Sequence, residues 1–427
     1  MGISTIQSMQ HKHKVIAAAI TGNIVEYYDF GIYAVFATII GELFFPSFDP
    51  AMEIVLVFAV FSIGFMMRPL GGVLFGYIGD KFGRRKALII SILGMSFSTL
   101  SIGLLPGYAE IGILAPLMLV LIRMIQGLCI GGESTGSAIF IIEHMPKSRI
   151  SLMGSIVMMT NIIGTLLANV VAISLNFWVG INNYTWRYCF FLGTALGIIG
   201  LYFRVKNTET PVFKLMQQHA HKNTKSPLLN IIQNKKYAVL SILAIAASAT
   251  SVTYLVRGYL NVFLEDCLGL SKQSALEYTI FTLSSMVLLL PLFGLLTDKF
   301  GTNAILNCGI LFIFFGILPA WYILINTNYQ WIGLFMIAIM GAAMGAPAYP
   351  HAINSFPPEI RYSGIALGWN LGNAIFGGTT PIICTILFEF YGLMGPAFYL
   401  IFTAAIFIIL RTFAKIYIKN LRIKSVT

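Results

Sequence analysis

Stretches of about 20 apolar residues, each long enough to cross a lipid core of about 30 Å as a helix, alternate with short charged turns along the whole chain. They fall near 15–40, 53–77, 87–105, 113–142, 152–177 and 187–205. A second set falls near 237–262, 274–297, 303–325, 331–352, 363–388 and 394–418. Between the two sets lies a polar stretch from Lys206 to Lys236. The pattern predicts an all-α membrane protein of twelve transmembrane helices. Residues 1–205 form an N-terminal six-helix bundle, 206–236 a cytoplasmic linker, and 237–427 a C-terminal six-helix bundle with a short basic tail.

The two sets are related. Gly76-Tyr-Ile-Gly-Asp80-Lys81-Phe82-Gly83 closes the second apolar run, and Gly294-Leu-Leu-Thr-Asp298-Lys299-Phe300-Gly301 closes the eighth. The echo lies about half of the 427 residues away, which marks an internal repeat. In membrane carriers, two similar halves enclose a central site. Glycines let helix ends approach closely, and an acid at the membrane edge can pair with arginines or with the N-terminal dipole of a helix in the other half. Asp80, Arg84 and Arg85, with Asp298 in the second copy, are therefore expected to form a cytoplasmic gate.

Composition excludes several classes. The chain is 57% hydrophobic and 10% charged, against about 25% charged in soluble domains. Its net charge of +11 sits in short loops on one side of the predicted spans, while Arg187 and Lys272 lie on the other. That asymmetry puts both termini in the cytoplasm and removes the need for a nucleic-acid partner. Five cysteines without a C-x-x-C pair suggest neither disulfides nor a metal site. No nucleophile–base set or phosphate loop points to an enzyme.

Further motifs narrow the reading. The first span carries Gly22-Asn23-Ile-Val-Glu26-Tyr27-Tyr28-Asp29-Phe30-Gly-Ile-Tyr33, and the second Gly64-Phe-Met-Met-Arg68-Pro69-Leu-Gly71-Gly72. The fourth carries Arg123-Met-Ile-Gln126-Gly127, then Gly131-Gly132-Glu133-Ser-Thr-Gly136 and Glu143-His-Met-Pro146. Glu209-Thr210-Pro211-Val-Phe213 opens the linker. Phe356-Pro357-Pro-Glu-Ile-Arg361-Tyr362-Ser-Gly364 and Phe376-Gly377-Gly378-Thr-Thr-Pro381 lie in the second half. From about residue 20 to about 400 this ordered set resembles the major facilitator superfamily, and within it the metabolite:H⁺ symporter family of proline/betaine, α-ketoglutarate, citrate and shikimate carriers. Asn354 stands where a Glu is usual, and only two residues separate Pro146 from Arg149, one fewer than the pattern expects. The long C-terminal coiled coil of some osmosensing relatives is missing, so osmosensing of that kind is not expected. The resemblance implies two bundles about a pseudo-two-fold axis, alternating access, and gate roles for Glu143, Arg149 and Arg361 beside the two acidic octets.

The membrane-embedded charges carry the candidate chemistry. Glu26 lies about 17 Å into the first span at 1.5 Å per residue, close to mid-membrane, and Asn23, Glu26 and Asp29 share a helix face with Tyr33 beyond them. Two acids at that depth need a cavity or a basic partner. They are either a structural ion pair or the proton-coupling site, with Glu133 the next candidate for coupling. Arg68 reads as a buried charge partner. Arg123 either holds a substrate carboxylate or competes for the two acids, with Gln126 beside it. Tyr254, Trp369, Asn370 and Asn373 suit the wall of a substrate pocket, whereas Arg257 reads as an interfacial charge near the outer surface.

The expected function is a proton-coupled symporter importing a small polar solute such as proline or betaine. A di- or tricarboxylate symporter and a proton-coupled exporter remain alternatives. No cofactor is expected beyond the coupling proton. The expected partners are the solute, the proton and the lipid bilayer, with the chain a monomer in a bacterial inner membrane.

Overall fold

With no water in the hydrocarbon core, each span must satisfy its own backbone groups, so the apolar runs become helices. The computed structural model describes residues 20–46, 50–82, 84–131, 149–180, 182, 184–206, 231, 235–326, 328–356 and 358–424. Side chains at 76–77, 79–85, 203–204, 206, 358–360, 362 and 415–424 fall outside that description.

Among the described residues twelve helical spans follow one another. α1 is Ile20–Val35, continued by Ala37–Phe44 after a 62° bend at Phe36. α2 is Pro50–Phe75, α3 Lys86–Leu104, α4 Leu114–Gly131, α5 Ile150–Trp178 and α6 Trp186–Lys206. α7 is Lys236–Cys267, α8 Lys272–Phe300, α9 Thr302–Asn326 and α10 Gln330–Ser355. α11 runs from Pro358–Gly372 through a π turn at Asn373–Gly377 to Thr380–Tyr391, and α12 is Gly395–Lys424. Gly301 and Gly392 take φ of 88° and 61°, the left-handed conformation that ends a helix without a Cβ clash. The first of them closes the second octet.

The described spans follow the hydropathy pattern closely, with one consequential difference; 15–19 of the first run and 132–142 of the fourth lie outside the described residues. α7 continues to Cys267 rather than ending near 262, and two π turns, Leu255–Tyr259 and Phe263–Cys267, lie within it. Arg257 is consequently ten residues from the end of α7 at Cys267. It is 6% exposed and buried, not interfacial as the hydropathy boundary suggested.

Helix contacts place the charges. α2 and α4 meet backbone to backbone: a Cβ on Gly127 would overlap the carbonyl of Gly64, one on Gly131 that of Arg68, and one on Gly71 that of Leu128. Small residues permit such approach where no hydrophobic force drives helices together in lipid. The contact sets the backbones of Arg68 and Arg123 on adjoining helices at close range. α5 runs along α8, so the two sets of helices touch directly.

The α2–α4 seam yields a test. Gly127→Ala meets backbone that cannot swing aside, and overpacking of this kind costs about 1–3 kcal/mol. Gly345→Ala meets only Leu290 Cδ2 at 3.4 Å and is neutral by comparison. Thermal unfolding of the two variants in detergent is expected to separate them clearly; equal melting would show that the seam is loose.

Candidate functional site

The middle of the molecule is a set of buried charges arranged on aromatic faces. Glu26 of α1 and Arg68 of α2 form an ion pair at 3.8 Å, both 1% exposed. The Arg68 guanidinium carbon lies 4.2 Å from the Phe65 ring centroid and 4.9 Å from that of Phe30. Phe30 also serves Arg123 at 4.8 Å, and Arg123 stands over Tyr33 at 3.9 Å and Phe61 at 5.6 Å. Cation–π contact of a desolvated arginine is worth about 2 kcal/mol, so the rings are functional neighbours rather than filler.

Asp29 takes a different partner from Glu26. It accepts a hydrogen bond from Thr99 of α3 at 2.6 Å, Thr99 accepts from Gln126 at 3.2 Å, and Gln126 accepts from Arg123 at 2.5 Å. Arg123 therefore reaches Asp29 only through an amide and a hydroxyl. Three residues along an α-helix turn about 60° from one another. That rotation is enough to send Glu26 toward α2 and Asp29 toward α3, although both belong to one broad face.

The second half closes over this cluster. The Tyr254 ring lies 4.9 Å from Phe65 and 6.4 Å from Phe61, and Trp369 stacks near Tyr349 at 5.4 Å. Asn370 donates to the Gly131 carbonyl at 3.5 Å, and Asn373 to the Trp369 carbonyl at 3.0 Å. Tyr33 donates to the Val57 carbonyl at 3.1 Å. Several buried polar atoms make no hydrogen bond among the described residues: Asn23 Oδ1, Asn370 Oδ1, and Nε and Nη2 of Arg123. Unmet donors and acceptors in a dry interior are costly, and each of these atoms is free to meet a polar guest.

On one side of the cluster, the halves join through Arg257 Nε donating to Thr165 at 2.8 Å and Asn261 donating to Asn169 at 2.9 Å. Ser62 donates to the Gly378 carbonyl at 2.7 Å, and Thr38 to Asp266 at 3.3 Å. On the opposite side, Asp298 accepts from the backbone N–H groups of Ser151 and Leu152 at 2.9 and 3.1 Å. It thus caps the N-terminus of α5, a helix of the opposite half. The side chains of Asp80, Arg84 and Arg85, and residues Glu133 and Glu143, lie outside the described residues. Arg149 is exposed, and Arg361 donates from Nε to the Phe356 carbonyl at 3.3 Å.

Sequence reasoning did not single out Phe61, Phe65, Thr99 or Thr165 as site residues, nor Arg257. In spans this apolar, a Phe or Thr that faces a charge looks like one that faces lipid.

Comparison with known proteins agrees with this architecture. Residues 19–371 match the Major Facilitator Superfamily. The chain is 36% identical over 426 residues to a proline/betaine transporter of Salmonella typhimurium, covering 95% of this chain and 84% of that one. It is 35% identical over 419 residues to the glycine betaine/proline/ectoine/pipecolic acid transporter OusA of Dickeya dadantii, covering 94% and 83%. Among solved structures, the proton:xylose symporter XylE bound to 6-bromo-6-deoxy-D-glucose superposes with a TM-score of 0.76. Identity there is 17%, and 95% of each chain is covered. A crystal structure of a D-xylose-proton symporter gives a TM-score of 0.72 at 19% identity, covering 92% and 97%. The chain belongs to the Major Facilitator Superfamily, with the fold of that family.

The Asp298 cap yields a second test. Asp298→Ala leaves two N–H groups of α5 without their acceptor, a loss of about 1–2 kcal/mol to the cytoplasmic contact. Ser155→Cys, placed where α5 meets Gly294 of α8, is expected to label severalfold faster with a thiol reagent in the Asp298→Ala background. Unchanged labelling would remove Asp298 from the gate.

Proposed function

We propose that this superfamily member is a proton-coupled symporter importing a compact zwitterion of the proline/betaine kind by alternating access. As a member of that family it is a multi-pass membrane transporter and not an enzyme. The observation that carries the substrate reading is the placing of guanidinium groups on the faces of Phe30, Phe61, Phe65, Tyr33 and Tyr254. A carboxylate pairs with guanidinium, and an onium or saturated ring packs against aromatic faces. Both ends of such a solute find partners within one buried cluster. The names of the relatives support the same class.

The coupling reading rests on Glu26 and Asp29. Arg68 pairs directly with Glu26, and Arg123 is linked to Asp29 through Gln126 and Thr99. A solute carboxylate draws guanidinium charge to itself, and the acid that loses its partner binds a proton from the outer medium. In the less acidic cytoplasm the proton leaves, the ion pair re-forms and the solute is released. Uptake therefore rises as the outside is made more acidic. The excess of Lys and Arg in the loops on one side supports cytoplasmic termini in a bacterial inner membrane, with the chain acting as a monomer and no cofactor beyond the proton. A dicarboxylate reading stands second, favoured by three buried arginines, Arg68, Arg123 and Arg257, against the acids Glu26 and Asp29.

Proteoliposomes test both readings. The wild type is expected to accumulate proline or glycine betaine under an inward proton gradient. Glu26→Gln or Asp29→Asn is expected to keep counterflow exchange and lose accumulation. If both variants still concentrate solute on a proton gradient, the coupling acid lies elsewhere. Accumulation of α-ketoglutarate in place of the zwitterions would decide for the dicarboxylate.

A further inference from the structure

Arg257 is the buried cation that the coupling cluster leaves over. Glu26 holds Arg68, and Asp29 is reached from Arg123 through three hydrogen bonds, but no carboxylate stands within 4.0 Å of Arg257 among the described residues. Its Nε donates to Thr165, a neutral hydroxyl that is itself fully buried. Its two Nη atoms make no hydrogen bond among the described residues. A buried charge without an anionic partner costs several kcal/mol, and retention of one in mid-chain points to an anion that arrives from outside.

Its surroundings are those of a ligand anchor. The guanidinium carbon lies 4.3 Å from the Tyr27 ring of α1 and 5.1 Å from the Tyr254 ring of α7, so it stands where the two halves face each other. At 6% it is more exposed than Arg68 and Arg123, which are at 1%. It lies within the π turn Leu255–Tyr259, and such turns recur at functional sites. The π turn of α11 brings Gly377 against the Tyr254 ring, which leads on to Phe65 at 4.9 Å.

Resting on the zwitterion reading above, we propose that Arg257 receives the carboxylate of the substrate, and that Thr165 is its stand-in partner when no substrate is bound. The Nη edge of the guanidinium matches a carboxylate bidentately, and the cationic end of the solute then lies along Tyr254 and Phe65. Arg68 and Arg123 hold the acids of the first half until the negative charge seated on Arg257 draws on them. Binding replaces the Arg257–Thr165 hydrogen bond, which crosses between the halves, so occupancy of the site is transmitted to the outer contact.

Competition binding on the full-length protein in nanodiscs, with proline against prolinamide, glycine betaine against choline, and α-ketoglutarate, tests this. Arg257→Gln is expected to weaken the carboxylates roughly 10- to 100-fold and the uncharged-end analogues by less than about threefold. Arg257→Lys is expected to keep the preference for carboxylates with affinity reduced about tenfold. Thr165→Val is expected to bind as tightly as wild type or more so. A purely structural role would weaken all ligands alike in Arg257→Gln, and that result overturns the anchor. If Arg257→Gln does not fold, Arg257→Lys decides: equal weakening of carboxylates and uncharged-end analogues in that variant overturns the anchor. A preference that survives in Arg257→Gln and vanishes in Arg123→Gln overturns the anchor while leaving the zwitterion reading in place. A wild type that binds none of the carboxylates overturns both.

Discussion

The ion pair between Glu26 and Arg68, 3.8 Å apart and sealed from solvent, is the interaction on which the rest of the molecule turns. Removing one partner from a buried pair typically costs 3–5 kcal/mol, because the other charge is then stranded. The fold is arranged so that neither is stranded. The glycine seam of α2 and α4 brings the two helices into backbone contact, and the bases on them share Phe30 as a common cushion. A side chain in place of Gly127 or Gly131 would separate α2 from α4 and pull that arrangement apart.

Contacts between the halves exist on both sides of the charges. On one side they are side-chain hydrogen bonds: Arg257 to Thr165, Asn261 to Asn169, Ser62 to the Gly378 carbonyl. On the other, Asp298 caps α5. A hydrogen bond of this kind contributes about 1 kcal/mol net. Each set is therefore weak enough to be broken by the binding energy of one small solute, yet directional enough to re-form in register. A purely apolar seam would lack that register. The positions 165 and 169 on α5, and 257 and 261 on α7, are each four apart, so one helix turn on either side supplies both bonds.

Much of this was legible in the chain. Twelve apolar runs, the repeated octet, and two acids and two arginines at mid-span depth are properties of local sequence, and the helices fall where hydropathy placed them. What escaped notice depended on where a helix ends and which way it faces. A hydropathy boundary near 262 puts Arg257 at the surface; with the end of α7 at Cys267 it lies inside. Glu26 and Asp29 were read as one pair because a spacing of three suggests one face, but the turn between them is enough to give them different neighbours. Phe61, Phe65 and Thr99 carried no signal, since apolar and hydroxyl residues abound in every span. Of the two octets, the structure places the side chain of Asp298 in the second; its role comes from a helix N-terminus remote in sequence that hydropathy cannot align with it.

The aromatic faces have a further consequence for the coupling proposed above. When Glu26 binds a proton, Arg68 loses its anion while still deep in the membrane, the least favourable place for an isolated cation. A lysine there would have to leave or give up its own proton, but an arginine remains charged and lies flat against a ring. Phe65 at 4.2 Å and Phe30 at 4.9 Å are already in place, and desolvated contacts of this type are worth about 2 kcal/mol. They offset part of the cost of the separated state without holding the arginine as firmly as a carboxylate does. The pair can thus open when the proton arrives and close when it departs, with the guanidinium moving little. A protein that relied on the carboxylate alone would leave Arg68 the full penalty of a stranded charge, and would hold the proton out.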